Sequence, residues 1–276
     1  MKFPNRRTNQ RSLQKSDNSD HSAPPVLQKL PMNVSLYQAA AAMNASTRWQ
    51  EVVAGNLASS MVPGYKRQAV SFEAVAAGAL NEARAPVMPR AVMSTNFNSG
   101  EMQTTGVGTD LAIDGPAFFE VQLSDGSLAY TRDGTMRISG SGQLQTKQGF
   151  ALQGQGGPVQ TDPNEKGALT ISPDGDVSQG DVSRGRLRLV EFADPRALRP
   201  IGQGLYVVSN PGVRPQEASN SSVRQGFIEA ANSTPVHEMA ELILSMRQFE
   251  ANQKVLQMHD ERMGKAIAEL GNPSAS

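Results

Sequence analysis

The chain has no cysteine, and that absence removes disulfide staples, thiolate nucleophiles and cysteine-ligated zinc or iron–sulfur centres together. Aromatic residues are scarce at 5%, hydrophobic residues reach 38%, and 25 Gly and 17 Pro are spread over 276 positions. Such a composition describes a turn-rich protein with a lean interior, whose packing neighbouring molecules are expected to complete. Net charge is missing as well: 26 basic and 26 acidic side chains cancel, so no global field draws the molecule toward nucleic acid or an anionic membrane. No stretch approaches the roughly 18 to 20 consecutive apolar residues of a membrane span, and membrane insertion is not expected. The basic start has no apolar segment behind it to act as the core of a cleaved secretory signal.

Catalytic and ligand-binding signals are equally thin. The three histidines, His21, His237 and His259, form no metal spacing and no Ser-His-Asp arrangement. The glycine-rich Gln153-Gly-Gln-Gly-Gly157 lacks the Lys-Ser/Thr of a phosphate loop. No cofactor is expected. An enzyme reading would need carboxylates such as Asp110 and Asp114 as an acid–base pair of a glycan-acting enzyme on a β scaffold, but acidic residues beside glycine turns are more often turn formers. An adaptor that binds an extended partner along a β surface is the third reading.

What is present is a pattern at the two ends. Residues 1–32 form a polar leader with six cations against two carboxylates, read as disordered. A helical composition follows over 33–62, with Leu36, Met43 and Leu57 on one seven-residue series and Val53 beside it. Pro63 and Gly64 end it. Residues 63–108 show no sustained period and read as an extended connection. Over 109–216 short alternating stretches such as Phe118-Phe-Glu-Val-Gln-Leu123 are separated by turns, with Asp-Gly pairs at 114–115, 125–126, 133–134 and 174–175 that favour hairpins. These loops lack the order of a calcium loop. A strand or connection over 217–233 leads to a C-terminal helix over 234–270, where Thr234 can cap and Pro235 takes the tolerated first position. Leu242, Phe249, Leu256 and Met263 repeat every seven residues there, with Met239 and Met246 as the companion series. A tail of 271–276 closes the chain. The expected fold is α+β: a β-rich domain of short antiparallel strands and hairpins inserted between long N- and C-terminal helices that pair as a coiled coil, their seam of Leu36, Met43, Val53, Leu57, Met239, Leu242, Met246, Phe249, Leu256 and Met263 available for assembly.

Three groups of residues then resemble one family. Asn56, Leu57 and Ala58, followed by Pro63, Gly64, Tyr65, Lys66 and Arg67, resemble the helix end and turn of the flagellar rod-and-hook axial proteins, with Ser59 where the family usually has a second Asn. Asp114, Gly115, Phe118 and Phe119, then Tyr130, Thr131, Arg132, Asp133 and Gly134, stand in the order of that family's β region. Gln225-Gly-Phe-Ile-Glu229 and Ala231-Asn-Ser-Thr-Pro-Val236 are similar to the strand and cap before its terminal helix. The match spans about residues 34–270. Within it, Arg247-Gln-Phe-Glu250, Lys254-Val-Leu256 and Asp260-Glu261 look most like the proximal-rod subunit, with distal-rod or hook-type relatives as the alternative.

The resemblance implies a structural subunit of the basal-body rod crossing the periplasm, exported through the flagellar export apparatus without a cleaved signal peptide, whose partners are copies of itself and related axial subunits. It implies neither nucleic acid nor a membrane as partner. The leader departs from the family pattern, which begins near the equivalent of Leu36, and reads either as a start assigned too early or as an extension that alters export or packing.

Overall fold

The computed structural model describes residues 34–76, 87–165, 167–210 and 212–271. The leader expected over 1–32 and all but the first residue of the expected tail lie outside the described residues.

Helix α1 is Val34–Ser59 and helix α2 is Pro235–Leu270, and many short antiparallel strands lie between them. The run of alanines in α1 favours helix by intrinsic propensity. The helix unwinds through turn bonds from Ser60 N to Leu57 O and Val62 N to Ser59 O, and Gly64 then adopts φ 68°, a conformation that strains residues with a Cβ. At the other helix Thr234 is extended and Pro235 occupies the first turn, but the Thr234 side chain makes no capping bond. Its carbonyl accepts from Glu238 N at 3.1 Å instead. Pro235 has no amide to be capped, which reduces the need for the hydroxyl.

The two helices pack against each other. The less exposed positions of α2 recur at three- and four-residue steps: Glu238, Leu242, Ser245, Phe249, Asn252, Leu256, His259 and Met263. The series expected from Leu242 to Met263 lies on this line. Its companion is polar, one residue away from the one expected, for Met239 and Met246 are 53% and 50% exposed. Residue type favours the methionines, whereas spacing along the helix favours Glu238, Ser245 and Asn252, and polar partners on α1 make burial of those side chains tolerable. On α1 the buried positions are mostly small: Ala39, Ala45, Ser46, Val52 and Val53.

The segment read as a featureless connection contains a hairpin, β1 (Gln68–Ala76) antiparallel to β2 (Val87–Thr95), in register from Gln68↔Thr95 to Ala76↔Val87. It packs on α1, where Trp49 meets Phe72 edge-on at 5.7 Å between ring centroids. Pro89 and Arg90 within β2, and a helix rather than a sheet as the covering layer, dilute the period-two pattern that would have marked it. Among the described residues β2 has no second strand neighbour, so Pro89 costs no ladder bond.

Strands β3 (Met102–Thr104), β4 (Leu111–Asp114), β5 (Phe118–Gln122) and β6 (Leu128–Thr131) open the β region. β5 and β6 sit in a ten-stranded sheet whose main path runs Leu198–Gly202, Leu205–Val208, β6, β5, Ala151–Gly154, Leu144–Thr146, Met136–Ile138. The strands before α2 return to the start of this region: Ser222–Gln225 pairs with β4 and Phe227–Glu229 pairs with β3. Thus both ends of the β region are tied together beside the helix pair. Phe118 and Phe119, adjacent on β5, serve opposite sides of the sheet. Phe119 joins the aliphatic core with Leu111, Ile113, Val121, Leu144 and Leu152. Phe118 joins an aromatic layer with Tyr130, Phe192, Tyr206 and Phe97.

Two of the four Asp-Gly pairs form the hairpin turns expected of them, at Asp125-Gly126 and Asp174-Gly175. Asp114-Gly115 instead ends β4, and Asp133-Gly134 lets two segments touch: a Cβ on Gly134 would stand 1.5 Å from the Leu111 carbonyl oxygen. Gly134→Ala must therefore displace backbone, at the cost of about 1–3 kcal/mol typical of overpacking. The expected result is a fall of roughly 3–10 °C in the thermal midpoint measured by circular dichroism, while Gly126→Ala, with nothing within 4 Å of its added carbon, is limited to its turn strain.

Candidate functional site

The family-signature residues that look unrelated in sequence meet where the helix pair joins the β region. Lys66 lies just past the α1 turn and is 1% exposed, and Arg132, just past β6, is 2% exposed. Between them stands Glu229, at the end of the strand leading to α2. Its Oε1 accepts from Lys66 Nζ at 2.5 Å and from Gly100 N at 2.7 Å, and its Oε2 accepts from Arg132 Nη1 at 3.3 Å. Lys66 also donates to Asn98 O at 2.9 Å. Arg132 donates to the carbonyls of Ile113 and Gly115 and lies over the Phe118 ring at 5.2 Å. One carboxylate thus binds the turn after α1, the segment before β3 and the end of β6 to the approach of α2.

Close backbone contact reinforces this joint. Gly64 N donates to Glu229 O at 2.6 Å, and a Cβ on Gly64 would fall 2.2 Å from the Arg132 carbonyl carbon. Gly100 is similarly tight, 1.9 Å from the Ala230 oxygen. Asn232 closes the remaining gap: its Oδ1 accepts from Arg67 N at 2.6 Å, and its Nδ2 donates to the carbonyls of Asn96 and Asn98, each at 2.8 Å.

A second polar cluster ties the helices themselves. Asn56 is fully buried. Its amide donates to Gln68 O at 2.8 Å and to Glu238 Oε2 at 3.1 Å, while its Oδ1 accepts from Tyr65 OH at 3.0 Å and from Gln68 N at 2.9 Å. Glu238, also fully buried, takes Arg67 Nε on its other oxygen at 2.6 Å. Every hydrogen-bonding position of the Asn56 side chain is used, which explains why an amide stands there: neither a carboxylate nor an aliphatic group offers two donors and two acceptors.

Burial pulls Lys66 and Arg132 toward neutrality. Desolvation lowers the Lys66 ammonium from its usual value against the attraction of Glu229, and lowers Arg132 likewise. Desolvation raises the phenols of Tyr65 and Tyr206. In the sheet it raises Glu120, with Arg188 opposing, and raises Asp133, with Thr135 opposing. Asp133 accepts from both the amide and the hydroxyl of Thr135, the behaviour of a turn former. Asp114 sits in an exposed pair with Arg224 at 2.7 Å. Among the described residues no group of three or more His, Cys, Asp or Glu is placed to hold a metal ion, and no helix is long and apolar enough to cross a membrane.

Of the remaining residues singled out in the sequence, Val53 is 1% exposed, Leu36, Met43, Leu57, Leu242, Phe249, Leu256 and Met263 are half-buried, and Ala58 is exposed. Tyr130 and Thr131 are buried in the sheet, and Pro63 flanks the turn. Glu238 was not singled out, and Glu229 and Asn232 were named only within the stretches 225–229 and 231–236, with no role of their own. Their signal was indirect: the signature's own carboxylates, Asp114 and Asp133, are engaged by Arg224 and Thr135, so the buried cations Lys66 and Arg132 must be neutralised from elsewhere.

Residues 112–179 match the flagellar hook protein FlgE/F/G D1 domain family, and residues 224–269 match the flagellar basal body rod FlgEFG protein C-terminal family. The flagellar basal-body rod protein FlgF of Caulobacter vibrioides is 33% identical over 247 residues, 87% of this chain and 99% of that protein. This chain belongs to the flagellar basal-body rod protein family. FlgF of Salmonella typhimurium is 31% identical over 85% of this chain and 97% of its own length, and the rod protein FlgG of Borreliella burgdorferi is 29% identical over 84% and 97%. The two matched family regions meet in the rod protein's joint, since Arg132 lies in the first and Glu229 in the second.

Glu229→Gln in this rod protein leaves two buried cations short of a counter-charge and is expected to cost about 3–5 kcal/mol in denaturant unfolding. Arg224→Ala, which breaks the exposed pair, is expected to stay within about 1 kcal/mol. Glu120→Gln tests the sheet. The native Glu120 carboxyl is a weaker acid than the unfolded one, so the parent protein gains stability over the variant as pH falls through the native pKa, holds the full gain below the unfolded pKa, and loses it above the native one. Thermal midpoints of the pair, followed from about pH 8 down to about pH 4, should shift in that direction.

Proposed function

We propose that this chain is a structural subunit of the bacterial flagellar rod, in its proximal part, and not an enzyme. Family membership carries the structural role. The proximal position is supported by the match to FlgF at 33% identity across 99% of its length, against 29% for FlgG of Borreliella burgdorferi, and by the Arg247-Gln-Phe-Glu250 stretch of α2.

In this reading the terminal helices pair as a short coiled coil and polymerise with copies of the chain and related axial subunits, and the β region is carried outward on the joint. The observation behind it is the apolar stripe that α2 keeps away from its own core: Val236, Met239, Ile243 and Met246 are 79%, 53%, 53% and 50% exposed. These positions fall on one side of the helix at three- and four-residue steps. A row of large apolar side chains over more than two turns gains by being covered, and methionine adapts to more than one neighbour. The helix pair has few large buried side chains of its own, so its order is coupled to assembly. Delivery to the periplasm through the flagellar export apparatus, with no cleaved signal peptide, belongs to the same reading.

Met239→Asp with Met246→Asp is expected to stop incorporation into rods while the β region melts as in the parent; Leu242→Asp or Phe249→Asp should do so as well by disturbing the pair. Complementation of a deletion strain, scored by swimming and by imaging of isolated basal bodies, checks this. A deletion strain with an intact rod removes the proximal assignment, and normal rods built from the methionine variant remove the stripe.

A further inference from the structure

Helix α2 offers two lines to α1, and they differ in chemistry. One is apolar: Leu242, Phe249, Leu256 and Met263. The other is Glu238, Ser245, Asn252 and His259, polar at every step. Three members of the polar line meet hydrogen-bonding groups of α1. Glu238 Oε2 accepts from Asn56 at 3.1 Å, the Ser245 carbonyl accepts from Gln50 Nε2 at 3.3 Å, and Asn252 Nδ2 donates to Ser46 Oγ at 3.2 Å. The rungs climb α2 while their partners descend α1, which is the antiparallel sense. Both small hydroxyls are also bonded within their own helix, Ser46 to Ala42 O and Ser245 to Leu242 O, each at 2.8–2.9 Å.

Such a line does little for affinity. Each rung replaces an apolar contact with a hydrogen bond whose net worth is small. Its effect is on the alternatives. Sliding the helices by one heptad preserves much of the apolar line but moves the Glu238 carboxylate away from Asn56 and Arg67, to the level of Trp49. Pairing two copies of α2 sets Glu238 lines against each other. Both outcomes strand buried polar groups, which is far more costly than a lost bond. Polar positions in a helix seam set register and partner in this way, at some expense of stability.

We propose that the Glu238–Ser245–Asn252 line is the specificity determinant of the terminal helices: it makes α1 of the same chain the obligatory partner of α2, and leaves the stripe through Met239 and Met246 for contacts between molecules. The second half rests on the assembly reading above; the first half does not. The two faces of α2 thereby sort intramolecular from intermolecular pairing, the polar face by penalising mismatch and the apolar face by tolerating several neighbours.

The absence of cysteine permits a direct test on the full chain. Gln50→Cys and Ser245→Cys are placed in one chain, or one in each of two chains mixed in equal amounts, and linked with a short bis-maleimide. With the line otherwise intact, the double variant should link within itself and the mixture should give only background dimer. When Ser46→Leu and Asn252→Leu are added, cross-chain dimer from the mixture is expected to rise at least about tenfold, with the melting of the β region unchanged by circular dichroism. Ser46→Ala with Asn252→Ala, which adds no bulk, gives the same readout should the leucines disturb packing. Repeating the mixture with Met239→Asp and Met246→Asp separates swapped pairing from contact through the stripe, so that failure of the assembly reading is distinguishable. Cross-chain dimer that stays at background in both apolar backgrounds, or that is already abundant with the line intact, overturns the proposal.

Discussion

The arrangement of this molecule depends on one buried carboxylate. Glu229 stands between Lys66 and Arg132, all three out of water, and both cations come from the first half of the chain while the carboxylate comes from near its end. Charges in such a place are tolerable only when each finds its counterpart with good geometry. The turn after α1, the end of β6 and the approach to α2 are therefore constrained to meet at one point. Gly64, Gly100 and Gly134 serve the same end sterically, each standing where a Cβ would strike another segment's backbone.

That constraint fits the work of a rod. In the proposed assembly, where the β region is carried outward on the joint, that joint must not shear easily, and hydrophobic contact alone is non-directional. Charge-assisted hydrogen bonds fix angles as well as distances. The Asn56–Glu238–Arg67 cluster continues the same logic into the helix pair, where the packing residues are small and the polar rungs decide alignment. Of the exposed large apolar side chains, half belong to α2, among them Val236, Met239, Ile243 and Met246, which face away from α1.

Much of this was legible before any coordinates. The seven-residue spacing of Leu242, Phe249, Leu256 and Met263, and the break at Pro63-Gly64, mark the terminal helices because helix period and backbone stereochemistry are local properties. The Asp-Gly turns at 125–126 and 174–175 are local in the same sense. The β1–β2 hairpin was not legible, since a two-stranded sheet laid on a helix with Pro89 in one strand lacks clean alternation. The less exposed companion line of α2 lies one residue from Met239 and Met246, at Glu238 and Ser245, a placement that residue type alone does not indicate.

The sequence by itself determined the ends: which stretches are helical, where they stop, which residues resemble the rod-and-hook family, and the lack of cysteine chemistry. Tertiary structure alone decided which of the charged residues are buried and with whom. Lys66, Arg132, Glu229 and Glu238 look like ordinary surface residues one at a time, because the free energy of a buried charge belongs to the pair and not to the residue. Only when residues as far apart as Asn56 and Glu238, 182 positions, are brought within hydrogen-bond reach does a sequence of common polar side chains become a joint.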